Sequence, residues 1–135
     1  MPTSAEVWYL DSSALVKTII EEPESVALRR WLDEREHLAA CDLVRVEAVR
    51  AVRLSDPAAA GRARRAIDTL TLIRLDDDIY DAAAELEPAG LRSLDAIHLA
   101  AAQSLGGDLD GIATYDKRLA AAAAAVGVRV EAPGC

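Results

Sequence analysis

Residues 7–17 read VWYLDSSALVK. The β-branched and aromatic residues that open this stretch predict a buried strand, and the aliphatic residues after Asp-Ser-Ser predict a helix. Asp11 therefore stands where a strand ends and a helix begins, which in an open α/β sheet is the edge where ligands bind. The alternative is that Asp11 or Ser12 only caps the helix. The choice depends on whether other acids occupy matching places in the chain.

The composition predicts one compact domain that spans residues 1–135. Hydrophobic residues make up 52% of the chain, aromatic residues only 4%, and Phe is absent, so the core must be aliphatic. No apolar stretch reaches the ~20 residues of a membrane helix. Residues 1–6 lack the basic segment and the apolar segment of a secretory signal. These features predict a cytoplasmic protein without a membrane segment.

Predicted strands and helices alternate along the chain. The predicted strands are 7–10, 38–41, 72–75, 111–115 and 128–130. The predicted helices are 14–20, 24–36, 43–52, 57–70, 76–86, 93–105 and 116–125. Asp42 stands at the expected N-cap of the third helix. This alternation is typical of an α/β fold with a mainly parallel sheet.

Three further acids stand at positions that matter in such a fold. Asp116 follows a predicted strand as Asp11 does, Asp95 lies in the first turn of a helix, and Glu47 lies among apolar helical residues. Each has an ordinary structural interpretation: a cap for Asp116, a favourable helix dipole for Asp95, and an ion pair with Arg45 or Arg50 for Glu47. The hypothesis of a functional site therefore rests on the four acids as a set.

Four motifs make the chain similar to PIN-domain proteins of the VapC toxin family, the ribonuclease half of bacterial toxin–antitoxin pairs. These are YLDSSALVK (9–17), LVRVEAVRA (43–51), LRSLDAIHLAAA (91–102) and ATYDKRL (113–119). The resemblance covers essentially the whole chain and implies a three-layer α/β/α fold of PIN type with a mainly parallel central sheet. It also implies a catalytic, metal-binding quartet with two supporting hydroxyl residues. The quartet is Asp11, Glu47, Asp95 and Asp116, and the supporting residues are Ser13 and Thr114.

The implied activity is metal-dependent hydrolysis of RNA phosphodiester bonds. Carboxylate oxygens are the ligands preferred by Mg²⁺ or Mn²⁺, and such ions supply a nucleophilic water and stabilise negative charge on phosphate oxygens. We expect Asp11 and Asp95 to be the principal ligands and Asp116 to complete the site, while Glu47 orients the attacking water. His98, three residues after Asp95, is expected to pack or hydrogen-bond beside the core rather than bind metal. The alternatives are a housekeeping RNA-processing nuclease and a non-catalytic PIN-like interaction module.

The charge distribution bears on the implied partners. The net charge is −8, yet six arginines lie between positions 45 and 65. Arg50, Arg53 and Arg92 are candidate RNA contacts. The alternative for the residues in the 45–65 segment is a solvated helical face or a protein interface. Besides RNA, the resemblance implies a VapB-like antitoxin as partner and a homodimer.

Overall fold

The structure is a computed structural model that describes residues 6–135. The expectation about a secretory signal concerns residues 1–6, of which residues 1–5 lie outside this range. The described residues form five strands, seven α-helices and two short 3₁₀ helices. In chain order these are β1 (Val7–Leu10), α1 (Ser12–Lys17), α2 (Ser25–Asp33), β2 (His37–Cys41), α3 (Val44–Ser55), a 3₁₀ helix (Pro57–Ala59), α4 (Ala60–Asp68), β3 (Thr71–Ile73), α5 (Asp77–Ala84), α6 (Ser93–Gln103), a 3₁₀ helix (Gly106–Asp108), β4 (Leu109–Ala113), α7 (Lys117–Ala125) and β5 (Val130–Glu131). No helix in this range is long and apolar enough to cross a membrane.

The strands form one parallel sheet in the order β3-β2-β1-β4-β5. β1 is central, and the chain builds the sheet outward on one side through β2 and β3 before it crosses to β4 on the other side. The carboxyl ends of β1 and β4 therefore flank the topological switch point, where open α/β sheets bind ligands. Leu10 pairs with Ala113, so the residues that follow these strands, Asp11 and Thr114, lie side by side.

Helices cover both faces of the sheet because successive strand residues point to opposite faces. Tyr9, Cys41 and Ile112 pack in a core with α5, α6 and α7. Ala40 packs on the other face in a core with α1, α3 and α4. Alanine is the commonest buried residue in both layers, and its small side chain lets helices and strands approach closely. The predicted α/β/α architecture with a parallel central sheet is confirmed.

Two local predictions were wrong in detail. The first helix ends at Lys17 instead of residue 20, and there the Leu15 carbonyl oxygen accepts hydrogen bonds from both the hydroxyl (2.6 Å) and the backbone N–H (3.1 Å) of Thr18. Asp42 does not cap α3; its carboxylate instead accepts a hydrogen bond from the Leu75 backbone N–H at 3.2 Å. Asp42 therefore ties the end of β2 to the segment after β3, a contact between residues 33 positions apart.

One glycine in the sheet is required by close packing. A Cβ on Gly111 would overlap Cζ3 of Trp8 and would lie 2.9 Å from the carbonyl oxygen of Arg129. Only a hydrogen fits between the Trp8 ring and the neighbouring strand, so β4 can pair with β1 here only through glycine.

Candidate active site

Asp11 lies at the centre of a hydrogen-bonded group at the carboxyl edge of the sheet. It is 4% exposed, and its Oδ2 accepts a hydrogen bond from the Thr114 hydroxyl at 2.6 Å. Its Oδ1 accepts hydrogen bonds from the Ser13 hydroxyl at 2.7 Å and from the Ala14 backbone N–H at 3.1 Å. Asp11 thus caps α1 and also binds both of the hydroxyl residues predicted to support it.

Asp116 has a matching place after β4. Its Oδ1 accepts hydrogen bonds from the backbone N–H groups of Arg118 at 2.8 Å and Leu119 at 3.2 Å, so it caps α7. The Asp116 backbone N–H donates to the Thr114 hydroxyl oxygen at 3.0 Å. Thr114 therefore connects Asp116 directly to Asp11.

Asp95 is the acid with the least hydrogen-bonded carboxylate. It lies in the first turn of α6 and is 8% exposed, and its buried Oδ2 has no hydrogen-bond partner among the described residues. Burial raises the pKa of Asp95, the negative charge of Asp116 raises it further, and Asp11 acts in the same direction. The positive charges of His98 and Arg92 oppose this shift. Asp95 is therefore electrostatically coupled to both other aspartates.

Burial also raises the pKa of Asp11, although the hydrogen bonds from Thr114 and Ser13 act against the shift. A buried carboxylate loses the hydration that stabilises its charge. The two buried aspartates, Asp11 and Asp95, thus both hold their negative charge at an energetic cost that a nearby cation would reduce.

Glu47 reaches this region from α3 and is held by a histidine. Its Oε1 accepts a hydrogen bond from Nε2 of His98 at 2.7 Å. The His98 ring is 3% exposed, and its Nδ1 lies 2.7 Å from the Tyr9 hydroxyl and 3.7 Å from Sγ of Cys41. Burial disfavours a charged ring, but hydrogen bonding to Cys41 and Glu47 outweighs burial and raises the pKa of His98 to about 10. The hydrogen-bond partner of Glu47 is thus His98, not an arginine of α3.

The expected place of His98, hydrogen-bonded beside the core, matches the structure. Its contact with Glu47 and the participation of Tyr9 were missed. Two weak signals were present: His98 follows Asp95 by three residues on one helix, and Tyr9 precedes Asp11 by two residues along a strand. Neither spacing indicates that Glu47, from a different helix, joins them.

The candidate RNA-binding arginines lie outside the acidic group. Arg50 and Arg53 are exposed on α3, and Arg92 is exposed just before α6, where its charge lowers the pKa of Asp95. The arginine salt bridges in residues 6–135 involve other positions: Arg29, Arg35, Arg62 and Arg129. Arg92 and Arg118 also line an open groove of about 640 Å³ between the segment before α6 and α7.

The arrangement of the acids determines how well they fit a metal ion. Across residues 6–135, no three Asp, Glu, His or Cys side chains are already arranged to hold a metal together. Two of these acids already have hydrogen-bond donors in place of a metal ion. The oxygens of Asp11 accept hydrogen bonds from two hydroxyl groups, and Glu47 accepts one from His98. The unpartnered Oδ2 of Asp95, beside two coupled aspartates, is nevertheless a donor that suits a hard cation. The donor set fits Mg²⁺ or Mn²⁺, and the metal role of the four acids stays a prediction.

Comparisons with known proteins identify the family of this chain. The family model for the PIN domain matches residues 8–125. Ribonuclease VapC46 of Mycobacterium tuberculosis is 48% identical over 125 residues, which cover 93% of this chain and 96% of the relative. Ribonuclease VapC47 of the same species is 42% identical over 131 residues, with the same two coverages.

Two solved structures share the fold. One is Mycobacterium tuberculosis VapC20, described as a toxin that cleaves the sarcin-ricin loop, with a TM-score of 0.73, 14% identity, and coverage of 90% of this chain and 96% of that one. The other belongs to a toxin–antitoxin complex from Klebsiella pneumoniae, with a TM-score of 0.71, 23% identity, and coverage of 93% and 96%. The chain belongs to the PIN-domain family and, within it, to the VapC proteins.

Proposed function

We propose that this protein is a metal-dependent endoribonuclease that acts as the toxin of a toxin–antitoxin pair. The observation that carries the proposal is Asp95, a buried carboxylate with one oxygen unpartnered and with Asp11 and Asp116 coupled to it. The relatives of this chain that are named Ribonuclease VapC, at 42% to 48% identity, support the same activity.

The residues have different tasks in this proposal. Asp11, Asp95 and Asp116 would hold Mg²⁺ or Mn²⁺ through their oxygens at the switch point of the sheet. These residues would hold an ion that, when bound, would supply a nucleophilic water at neutral pH and stabilise negative charge on the phosphate. Ser13 and Thr114 keep the Asp11 carboxylate in a fixed orientation. Glu47 would orient the attacking water and accept its proton.

The test is cleavage of RNA by the purified protein in Mg²⁺ or Mn²⁺, with EDTA as the metal-free condition. We expect cleavage that EDTA abolishes and that Asp95→Asn also abolishes. Asp68→Asn is the matched control, because Asp68 is an exposed aspartate just before β3, at the opposite edge of the sheet. Cleavage that persists in EDTA would contradict the metal dependence, and a folded wild type without cleavage would favour an interaction module.

We further propose that Arg50 and Arg53 contact RNA phosphates beside Glu47. Replacing both with Ala should weaken RNA binding and lower the log–log salt slope by about 0.7 for each phosphate of a single strand that is no longer neutralised. Arg30 and Arg129, exposed arginines that precede β2 and β5, provide a control double variant. A double variant at 50 and 53 that binds RNA normally but changes its oligomeric state would assign these arginines to a protein interface.

An antitoxin of VapB type, a homodimer and a cytoplasmic location complete the proposal. The likeness to the VapC relatives supports the antitoxin. Co-purification with the protein encoded by the neighbouring reading frame tests the antitoxin, and sedimentation of the purified toxin tests the dimer. A monomer at micromolar concentration would contradict the proposed homodimer.

A further inference from the structure

We infer that His98 is a positioning residue: its Nε2 holds the Glu47 carboxylate at the acidic site, and Tyr9 fixes the imidazole ring that does so. The inference rests on the proposed function, because it assigns a task to a residue of the same site. It goes beyond that function because neither His98 nor Tyr9 belongs to the predicted acidic quartet.

The contact joins the two helical layers of the fold. Glu47 lies on α3, which covers one face of the sheet with α4, whereas His98 lies on α6 on the other face. The 2.7 Å bond from Nε2 of His98 to Oε1 of Glu47 links residues 51 positions apart. It brings a carboxylate from one layer to the helix that carries Asp95.

The imidazole ring is well placed to act as a fixed support. It is buried on an inner turn of α6, and the Tyr9 hydroxyl lies 2.7 Å from Nδ1. The Tyr9 and His98 rings also pack edge to face, with centroids 5.9 Å apart and planes at 70°. Because Tyr9 belongs to the central strand, the position of the ring is set by the sheet itself.

Glu47 needs such a support because its side chain is long and partly exposed. Its side chain is 22% exposed, and without the bond to His98 it would sample several rotamers in solvent. His98 can hold Glu47 whether its ring is charged or neutral, provided that Nε2 carries a hydrogen. In both the imidazolium and this neutral tautomer, Nε2–H donates to Glu47. In the imidazolium, Nδ1–H donates to the Tyr9 hydroxyl oxygen; in the neutral tautomer, the Tyr9 hydroxyl donates to Nδ1.

Replacing His98 with Gln or with Asn, two neutral residues of similar polarity, distinguishes a positioning role of His98 from a simple packing role. The amide of Gln reaches about as far as Nε2 of histidine, whereas the shorter Asn reaches only about as far as Nδ1. His98→Gln therefore keeps a donor for Glu47, and His98→Asn keeps only a partner for Tyr9. We expect His98→Asn to lower kcat for RNA cleavage roughly 10–100-fold with little change in KM, and His98→Gln to restore most of the rate.

A double-variant cycle tests whether the effect passes through Glu47. Glu47→Gln and each His98 variant are compared singly and together, with kcat and the Mn²⁺ dissociation constant as two separate readouts. If Glu47→Gln changes kcat or the Mn²⁺ dissociation constant, His98→Asn should change the same quantity in the same direction. Adding His98→Asn to the Glu47→Gln variant should then have no further effect on that quantity. We expect similar melting temperatures for the two metal-free His98 variants, so that a difference in kcat cannot be assigned to a difference in stability.

The inference is overturned if the Gln and Asn variants have the same kcat and the same Mn²⁺ affinity, or if their effects add to that of Glu47→Gln. A wild type that binds Mn²⁺ but does not cleave RNA would refute the proposed function, and the Mn²⁺ affinities would still decide the role of His98. If neither His98 variant folds, Tyr9→Phe decides, because it leaves the imidazole in place and removes the hydroxyl beside Nδ1. An unchanged kcat and Mn²⁺ affinity in Tyr9→Phe would then overturn the inference.

Discussion

Raising the pH from 7 to 10 should weaken the folded protein through His98. The pKa of this ring is raised from 6.5 to about 10 by its hydrogen bonds to Cys41 and Glu47, which outweigh the effect of burial. Between these two values the folded state holds a proton that the unfolded state releases. The stabilisation is therefore fully present below pH 6.5 and is lost as the pH rises through about 10.

The structure sets the size of this effect. His98 is only 3% exposed, so solvent screens its interaction with Glu47 weakly. About three pKa units separate pH 7 from the folded-state pKa, and at about 1.4 kcal/mol per unit the protonated ring contributes at most on the order of 4 kcal/mol at pH 7. That is a large part of the ~5–15 kcal/mol by which a typical domain is stable.

Urea denaturation of the metal-free protein in EDTA, followed by circular dichroism, measures the effect. Other groups titrate near pH 10, so the relevant quantity is the difference between wild type and His98→Gln. We expect wild type to be more stable at pH 7 and most of its advantage to vanish by pH 10. Two stability profiles that stay parallel over this range would show that His98 is neutral in the fold.

Three substitutions test other parts of the structure. Asp95→Asn should abolish RNA cleavage but stabilise the metal-free protein by about 0.5–2 kcal/mol, because it removes a buried charge that burial and neighbouring carboxylates disfavour; a lower urea midpoint in EDTA would contradict this. Thr114→Val should cost about 1–3 kcal/mol by removing a hydrogen bond to a buried carboxylate, and Thr114→Ser should recover most of the loss in the same assay. Gly111→Ala should cost about 1–3 kcal/mol because its Cβ would overlap the Trp8 ring, whereas Gly107→Ala meets no atom within 4 Å. Equal melting temperatures for the two alanine variants in calorimetry would refute the packing argument.

The sequence predicted the parts of the fold that depend on local patterns. Alternation of strands and helices was sufficient for the architecture, and the strand-to-helix steps at Asp11 and Asp116 were sufficient to place both acids at one edge. Asp11 and Asp116 lie close together only if β1 and β4 are neighbouring strands. The structure shows that they are, because Leu10 pairs with Ala113.

Contacts between distant segments could not be predicted in the same way. The spacing within α3 suggested an arginine partner for Glu47, but the partner is His98, 51 residues away on another layer. Aspartate is a residue type that often caps the N-terminus of a helix. The carboxylate of Asp42 instead binds the backbone N–H of Leu75 once β3 lies beside β2. In both cases a tertiary hydrogen bond replaced the local one that the sequence favours.

The position of β4 also bears on how the protein is made. Asp11 and Thr114, which share a hydrogen bond, are 103 positions apart in the chain. During translation, β1 leaves the ribosome long before β4, and until β4 pairs with it the Asp11 carboxylate has no Thr114 hydroxyl and no Asp116 beside it. A nascent chain that has reached only α6 therefore cannot assemble the hydrogen-bonded group around Asp11. In the function proposed above, the nuclease site is therefore complete only after most of the chain has been made, which leaves time for an inhibitor to be present first.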